Sequence, residues 1–333
     1  MYLIYKMKYI LCFCLGLAIF LLGNIHCQED QSITEVRLAL DWYPNANHAG
    51  IFIAQEKKYF LKEGLKVEIY TPSDPSTVLQ TVGAGNDEFG ISYQPDLILA
   101  RDKGIPVISV GAIVQHPLNV VMFLKEKQIK SPKDLKGRKI AYPGIPLNEA
   151  ILDTMLKFDG LSGIEDVEMI NTGWDLVPPV IGKKVDACIG CYISHETIMA
   201  ANEGYPVEVM HFTDWGVPDY YELILITGDK YLKENKDVIR RFTKALQQGY
   251  EDAMKSPDDA IKILSLNNEI DLNIETPGIK ILQDFWDDGD GFGFQSSSKW
   301  SKFILWMKEK DLIDNNILVE SVFSNQFFVK SIE

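Results

Sequence analysis

Residues 35–71 read EVRLALDWYPNANHAGIFIAQEKKYFLKEGLKVEIYT. The opening run alternates apolar and polar side chains, which is the pattern of a half-buried strand, and we expect a strand over residues 35–42. Residues 49–64 predict a helix that ends at Gly64, and residues 65–71 predict a second strand. A unit of strand, helix and strand is typical of an α/β fold.

The same alternation of strand and helix continues along the chain. Helices are expected to begin at Pro75 and Pro95, and strands are expected in EFGISY and PVISVGAIV. After QHPLNVVMFLKE the pattern starts again, with strands in RKIAYPG, VEMIN, VDACIG and PVEVMHF and helices between them. From ELILITG onward the chain becomes mostly helical. This order predicts two α/β lobes, each with a parallel sheet covered by helices, and a helical tail.

Two such lobes resemble the two-lobed, venus-flytrap architecture of periplasmic solute-binding proteins, in the type II form with two chain crossings between the lobes. The expected crossings lie near residues 115–118 and 212–216, where turn formers or polar residues interrupt the pattern. We therefore expect lobe 1 to comprise residues 33–117 and 215–333, and lobe 2 to comprise residues 118–214.

Composition and charge narrow the choice of partner. The chain has 333 residues, of which 46% are hydrophobic and 24% charged, which is ample material for a sizeable core. Its net charge is −14 and its lysines are scattered, so no basic patch for nucleic acid or for an anionic membrane is visible. A small molecule or another protein is the better expectation.

The amino terminus has the features of an export signal. Lys6 and Lys8 precede an apolar run over residues 9–23, which is shorter than the roughly 20 residues that a membrane-spanning helix needs. We expect residues 1–27 to be the signal and the mature chain to work outside the cytoplasm. Two alternatives remain open for Cys27: it is the lipid-bearing first residue of a lipoprotein, or the signal is simply cleaved.

Cys188 and Cys191 form a C-x-x-C motif with His195 nearby. A zinc site would need a fourth ligand, usually from a second pair, and none is in view. A redox C-x-x-C normally opens a helix, whereas KKVDACIGCY is strand-like, so we expect the two side chains on opposite faces of a strand. We interpret both as ordinary buried or pocket-edge cysteines and predict no metal site.

Candidate site residues are sought at the carboxyl ends of the strands, where open α/β sheets bind their ligands. The predicted ligand-binding residues are Asp41, Trp42, Asn45, His48, Tyr93, Gln94, Asp175, Tyr192, Glu196, Trp215 and Tyr220. The same strand ends also carry Ser92, Trp174, His195 and Tyr221. Aromatic rings and carboxylates are thus expected to converge from both lobes on one pocket.

These residue types indicate the chemistry of the ligand. None of the five arginines lies in these segments except as a distant neighbour, so a buried anion such as sulfonate, nitrate or phosphate is disfavoured. Aromatic walls with carboxylates and amides suit a flat, neutral or weakly basic heterocycle, stacked between rings and hydrogen-bonded at its edge.

Some of these side chains also have purely structural interpretations. Trp42 is alternatively buried in the core of its lobe, and His48 alternatively caps the following helix. Asn45 is alternatively a turn residue beside proline, and Glu196 alternatively favours the first turn of its helix through the helix dipole. Residues 215–221 include candidates for packing between the lobes.

The sequence contains no enzymatic motif. It has no G-x-S-x-G, H-E-x-x-H or G-x-x-x-x-G-K, and the glycines of GAGNDEFG lie between a helix and a strand, as in an ordinary turn. We therefore expect a binding protein with no catalytic residue and no cofactor.

Four stretches resemble one family of solute-binding proteins. They are LALDWYPNANHAGIFIAQEKKYFLKEGLKVEI, GISYQPDLILARDKGIPVISVGAIVQHPL, SPKDLKGRKIAYPG and VDACIGCYISHE. They are similar to the proteins that feed pyrimidine precursors of thiamine to ABC transporters. This formylaminopyrimidine-binding branch belongs to a larger family with sulfonate- and nitrate-binding proteins and the fungal pyrimidine synthase. The strings D-W-x-P-N-x-x-H and S-Y-Q-P-D are its most specific features.

The resemblance implies a high-affinity receptor that delivers its ligand to a permease and an ATPase. It places a set of side chains at the pocket: Asp41, Trp42, Asn45, His48, Tyr93, Tyr192 and Glu196. Ile193 departs from the family pattern, which has a second aromatic residue at that position. Riboflavin is an alternative ligand, because close relatives bind it. A pyrimidine synthase that consumes His48 with iron is a further alternative, against which the export signal and the missing cysteine-rich string argue.

Overall fold

The computed structural model describes residues 33–328, which form two five-stranded sheets with helices packed against them. The predicted export signal at 1–27, including Cys27, lies outside the described residues. The strands are β1 (Thr34–Ala39), β2 (Leu65–Tyr70), β3 (Phe89–Ser92), β4 (Val107–Val114), β5 (Asn119–Leu124), β6 (Lys139–Tyr142), β7 (Glu168–Asn171), β8 (Ala187–Tyr192), β9 (Val207–His211) and β10 (Leu223–Gly228).

The helices lie between these strands and in the carboxyl-terminal part of the described chain. They are α1 (Ala49–Glu56), α2 (Tyr59–Lys62), α3 (Val78–Gly83), α4 (Gln94–Asp102), α5 (Pro146–Phe158), α6 (Val177–Ile181), α7 (Glu196–Asn202), α8 (Asp229–Glu234), α9 (Lys236–Lys255), α10 (Pro257–Ser265), α11 (Leu272–Trp286) and α12 (Ser297–Glu309). Within residues 33–328, none combines the length and the apolar character needed to cross a membrane.

Both sheets are mixed, which corrects the expectation of parallel sheets. Sheet 1 has the order β2-β1-β3-β10-β4, and sheet 2 has the order β7-β6-β8-β5-β9. β10 runs antiparallel to β3 and β4, and β5 runs antiparallel to β8 and β9. These are the two strands that enter a sheet directly from the other sheet. Two neighbouring strands of a sheet run parallel when a crossover helix on the same sheet joins them. β5 and β10 are reached from the other sheet without such a helix, and they run antiparallel to their neighbours.

The chain passes between the sheets at two places. It leaves sheet 1 after β4 and enters sheet 2 at β5 through residues 115–118, and it returns from β9 to β10 through residues 212–222. Both expected crossings lie in these connections, and the predicted α/β fold with two sheets is confirmed. The assignment of the lobes to 33–117 with 215–333, and to 118–214, stays a prediction.

The helix expected over residues 49–64 is divided into α1 and α2. The division occurs at Lys58, whose backbone is left-handed with φ of 60°. After it Phe60 is buried, and its ring stacks on Phe242 of α9 with 5.0 Å between the centroids. The prediction was wrong here because lysine rarely adopts a left-handed conformation unless the surrounding packing imposes it.

Cys188 and Cys191 form a disulfide, which corrects the expectation that they lie on opposite faces of a strand. β8 contains a bulge: consecutive residues of β5 pair with Cys191 and Ile189, so Gly190 between them is left over. Gly190 has a positive φ of 100°, which suits glycine. The extra residue shifts the alternation of side chains by one, and both cysteines then lie on the same buried face.

α9 positions the loop that follows β1. Its Gly249 lies so close to α1 that a Cβ there would be 2.0 Å from the carbonyl oxygen of Gly50. The adjacent Tyr250 is fully buried and donates its hydroxyl hydrogen to the carbonyl oxygen of Asn47 at 2.8 Å. Close backbone packing and this hydrogen bond fix the loop that carries several predicted site residues.

Candidate functional site

The loop after β1 is held by its own polar side chains. Asn45 precedes a 3-10 turn at Ala46–His48, and its Oδ1 accepts a hydrogen bond from the backbone N–H of Asn47 at 2.9 Å. The backbone N–H of Asn45 donates to His48 Nδ1 at 3.2 Å. These are the contacts of a helix cap, so the amide and the imidazole both stabilise the loop.

His48 and Asp41 form a buried pair at the end of β1. Because His48 Nδ1 accepts from a backbone N–H, the ring hydrogen is assigned to Nε2, which donates to Asp41 Oδ1 at 3.0 Å. The second carboxylate oxygen, Oδ2, accepts from the Tyr93 hydroxyl at 2.7 Å. His48 is only 1% exposed and both ring nitrogens are engaged, so in this geometry it orients Asp41. A direct contact of His48 with a ligand stays a prediction.

Glu222 forms a second cluster, which was not predicted from the sequence. It directly precedes β10 and is 3% exposed, and four donors surround its carboxylate. Oε1 accepts from Tyr192 Oη at 2.8 Å and from Asn119 Nδ2 at 2.9 Å. Oε2 accepts from the backbone N–H of Leu118 at 2.9 Å and from Tyr220 Oη at 3.5 Å. One carboxylate therefore ties both chain crossings to Tyr192 at the end of β8.

The Asp41 and Glu222 clusters lie within electrostatic reach of each other. Burial raises the pKa of Tyr93 well above its ordinary value, and the charges of Asp41 and Glu222 raise that pKa further. Burial also raises the pKa of Tyr192, and the same two carboxylates add to the effect. Tyr93 follows a strand of sheet 1 and Tyr192 ends a strand of sheet 2. Phenols that stay protonated and two carboxylates thus meet between the sheets.

Asp96 brings a third carboxylate to this site. It lies in the first turn of α4, and its charge contributes to the raised pKa of Tyr93. Solvent reaches its side chain, yet desolvation by the surrounding protein raises the pKa of Asp96 to about 6. A group that is both exposed and desolvated lies in a concave surface. Within residues 33–328 it accepts no hydrogen bond, so it is available to a donor on a ligand.

Asp96→Asn is expected to make the folded protein more stable at neutral pH than the wild type. A carboxyl group with a raised pKa holds its proton more tightly when folded than when unfolded. Folding therefore loses stability as the pH rises from the ordinary value of 3.8 to about 6, and asparagine removes this loss. Thermal unfolding of the variant and the wild type at about pH 4 and about pH 7 measures the difference in stability. The advantage of the variant should appear only at the higher pH; an equal difference at both would contradict the prediction. Asp214→Asn, at an exposed aspartate in the connection between β9 and β10, is the control.

Glu196 closes the turn between β8 and α7. Its Oε2 accepts from the backbone N–H of Tyr192 at 2.7 Å, and its Oε1 lies 3.1 Å from His195 Nδ1. The hydrogen bond with Glu196 raises the pKa of His195, and the charge of Glu275 on α11 raises it too. Glu275 in turn is buried and accepts from the backbone N–H of Ala46 at 2.7 Å. The turn after β8 and the loop after β1 therefore share one acidic neighbour.

The other predicted residues have different surroundings. Gln94 is fully buried, and its Oε1 accepts from a backbone N–H of the second crossing at 2.7 Å. Trp42 is 42% exposed and therefore does not belong to the core of its lobe. Asp175 is exposed on the loop after β7. Trp215 packs edge-on against Phe158 of α5, with 6.3 Å between the centroids, rather than joining the two clusters. Ligand contacts of these residues stay predictions.

Asn119, Glu222, Glu275 and Asp96 are site residues that were not predicted. Two of them left a signal in the sequence. Asp96 ends the S-Y-Q-P-D string, and Glu222 directly precedes the apolar run LILITG, where a carboxylate entering a buried strand needs a partner. Asn119 gave no comparable signal, and Glu275 reaches the loop after β1 from 229 residues away.

A cavity of about 400 Å³ lies beside the crossings and shares Asn119 with the Glu222 cluster. Two of its lining residues pair with each other, since His116 Nδ1 lies 3.0 Å from Asp219 Oδ2. Lys299 Nζ lies 2.7 Å from the same oxygen. The carboxylate of Asp219 is therefore already paired within the lining of this cavity.

The sequence is similar to two kinds of protein. It matches the family described as NMT1/THI5 like over residues 45–260. It is 38% identical over 304 residues to the formylaminopyrimidine-binding protein of Halalkalibacterium halodurans, covering 89% of this chain and 92% of that protein. It is 28% identical over 241 residues to a 4-amino-5-hydroxymethyl-2-methylpyrimidine phosphate synthase of Saccharomyces cerevisiae, covering 69% of this chain and 70% of the synthase.

The fold is similar to that of a solved binding protein. The periplasmic aliphatic sulphonate binding protein SsuA of Escherichia coli superposes with a TM-score of 0.71 at 16% sequence identity, over 89% of this chain and 99% of that chain. At this identity the likeness concerns the fold alone.

Proposed function

Since the chain belongs to the NMT1/THI5-like family, we propose that it is the solute-binding component of an ABC importer and captures a pyrimidine precursor of thiamine. The precursor is of the formylaminopyrimidine or hydroxymethylpyrimidine type. The observation that carries the proposal is the meeting of the Asp41 and Glu222 clusters, which brings carboxylates and phenols from both sheets to one site. The 38% identity to a formylaminopyrimidine-binding protein supports the same class of ligand.

The site chemistry matches an amino-substituted pyrimidine. Such a ring offers N–H donors on its exocyclic amine and acceptors on its ring nitrogens. Asp96 has an open carboxylate for the donors, and the hydroxyl oxygens of Tyr93 and Tyr192, whose hydrogens are donated to Asp41 and Glu222, are further acceptors. Hydrogen bonds to a charged partner contribute about 1.5–3 kcal/mol each. None of the hydrogen bonds described within the two clusters involves lysine or arginine, so an anionic ligand has no counter-charge there.

Capture follows from the position of these groups on two sheets. A ring that contacts Tyr93 from sheet 1 and Tyr192 from sheet 2 binds more tightly when the lobes are together than when they are apart. The ligand therefore shifts the population toward the closed arrangement, and the site holds the ring without transforming it.

The proposed partners follow from this role. A binding component delivers its ligand to a permease and an ATPase, and it works outside the cytoplasm. The only proposed attachment to the membrane is a lipid on Cys27, with plain cleavage of the export signal as the alternative.

A panel of ligands tests the proposed function. We expect formylaminopyrimidine or hydroxymethylpyrimidine to raise the melting temperature more than thiamine or riboflavin does. At a free concentration of about 100 times Kd, a ligand that binds only the folded state adds about 2.7 kcal/mol of stability. Calorimetry then gives the affinity. If the protein purified from cells is yellow and only riboflavin raises its melting temperature, the ligand is a flavin and not a pyrimidine.

A pyrimidine synthase is the second candidate, because a relative of that activity is 28% identical to this chain. By the resemblance, His48 would supply atoms of the pyrimidine. Its ring is 1% exposed and held at both nitrogens, which suits a structural role better. Incubation with iron and pyridoxal phosphate, followed by mass spectrometry of the peptide with His48, separates the two functions. Loss of mass from the histidine would support the synthase.

A further inference from the structure

The side chains of Trp42 and Trp174 meet from the two sheets. Trp42 lies on the loop after β1 of sheet 1, and Trp174 lies on the loop after β7 of sheet 2. Their ring centroids are 5.8 Å apart and their planes are tilted by 53°. Both residues are exposed, Trp42 to 42% and Trp174 to 64%. Large indoles are seldom left this exposed in contact with each other unless the surface is used for binding.

The arrangement leaves the indole faces accessible. The ring of Tyr43 contacts Trp42 edge-on, at 5.9 Å and 83°, and so supports it without covering it by stacking. Trp174 follows Gly173, whose backbone is left-handed, and a Cβ added at Gly173 would meet no atom within 4 Å. The loop is therefore open around this glycine.

The two indoles form a wedge next to the Asp41 cluster. Trp42 directly follows Asp41 in the chain, so the loop that carries the Asp41 cluster also carries one face of the wedge. A flat ring that stacks between two indoles needs about 7 Å between the indole planes, because each of the two stacking contacts takes about 3.5 Å. The observed separation is 5.8 Å, so a small opening and a rotation that removes the tilt would admit one ring.

We propose that Trp174 is a ligand-stacking residue, which together with Trp42 clamps the flat ring of a heterocycle from both faces. The proposal rests on the proposed function and extends it, because it assigns the second stacking surface to lobe 2. Ile193 offers no such surface: it is partly buried and packs against apolar clusters of the core. Without ligand, the two indoles cover part of each other's apolar surface, and the ligand ring replaces that contact with two stacking contacts.

Trp174→Ala tests the clamp. Loss of one aromatic face from a stacked base typically weakens binding about 5- to 150-fold, and we expect a loss in this range for hydroxymethylpyrimidine by calorimetry. Trp174→Phe keeps an aromatic face and should stay within about threefold of the wild type. The melting temperature of the ligand-free variants should be unchanged, because the side chain is mostly in water. Tryptophan fluorescence should be quenched by ligand in the wild type and less so in Trp174→Phe.

Tyr205→Ala is the matched control, because Tyr205 is another exposed aromatic residue of lobe 2, at 38%. It should bind like the wild type. If the wild type binds the pyrimidine and Trp174→Ala binds it equally well, the clamp is overturned while the proposed function stands. If the wild type binds only riboflavin, the same variants are measured with riboflavin, and the same loss supports the clamp. A wild type that binds none of these rings overturns both.

Discussion

Glu222→Gln should lower the free energy of unfolding by about 2–4 kcal/mol and also weaken ligand binding. The carboxylate of Glu222 receives hydrogen bonds from Tyr192, Asn119 and Leu118 at 2.8–2.9 Å. Glutamine has a single acceptor oxygen, so its NH₂ group must face at least one of these donors. The backbone N–H of Leu118 cannot reorient, and we expect the amide oxygen to turn toward it. Asn119 and Tyr192 then lose their acceptor.

Urea denaturation measures the loss of stability, and calorimetry with hydroxymethylpyrimidine measures the loss of affinity. Binding should suffer because Tyr192 and both crossings are positioned by the same carboxylate. Glu208→Gln is the control. Glu208 lies on β9, is about half exposed and pairs with Lys125 at 3.8 Å, so its removal should cost no more than about 1 kcal/mol. Stability of Glu222→Gln within about 0.5 kcal/mol of the wild type would show that the carboxylate does not hold the crossings together.

The strands and most helices could be predicted because their signals are local. Alternating apolar residues, a proline at a helix start and a glycine at its end act over a few residues. The errors arose where distant parts of the chain decide the local conformation. Lys58 is left-handed in a segment that has the pattern of one helix, and Gly190 bulges β8 so that Cys188 and Cys191 share a face. The glycine at 190 permits the bulge without specifying it, and nothing in the segment around Lys58 marks the break in the helix.

The site shows the same difference between local contacts, which the sequence indicates, and distant contacts, which it does not. Asp41, Asn45 and His48 lie within eight residues and form their contacts within one loop, so their grouping was visible in the sequence. Glu222 and Glu275 join the site through folding: the first is about 100 residues from its partners in the first crossing, and the second is 229 residues from Ala46. Buried carboxylates of this kind are recognised only once the donors around them are known.

Asp41→Asn is expected to weaken hydroxymethylpyrimidine binding about 10- to 100-fold. In the wild type, Oδ1 of Asp41 accepts from His48 and Oδ2 accepts from Tyr93. His48 cannot change roles, because its Nδ1 already accepts from the backbone N–H of Asn45. The asparagine oxygen must therefore face His48, and its NH₂ group must face Tyr93. The Tyr93 hydroxyl is then forced to accept, and its hydrogen turns away from the position it occupies in the wild type.

Tyr93→Phe separates this effect from a general loss of stability. If Asp41 acts on the ligand through the Tyr93 hydroxyl, Asp41→Asn should weaken binding much less in a Tyr93→Phe background than in the wild type. Asp74→Ala serves as the control: Asp74 is exposed and caps the turn after β2 by accepting from the backbone N–H of Ser76, so losing its side chain lowers stability without touching the site. Equal losses of affinity in both backgrounds would mean that Asp41 meets the ligand directly. Unchanged affinity in Asp41→Asn would show that Asp41 does not contribute to ligand binding.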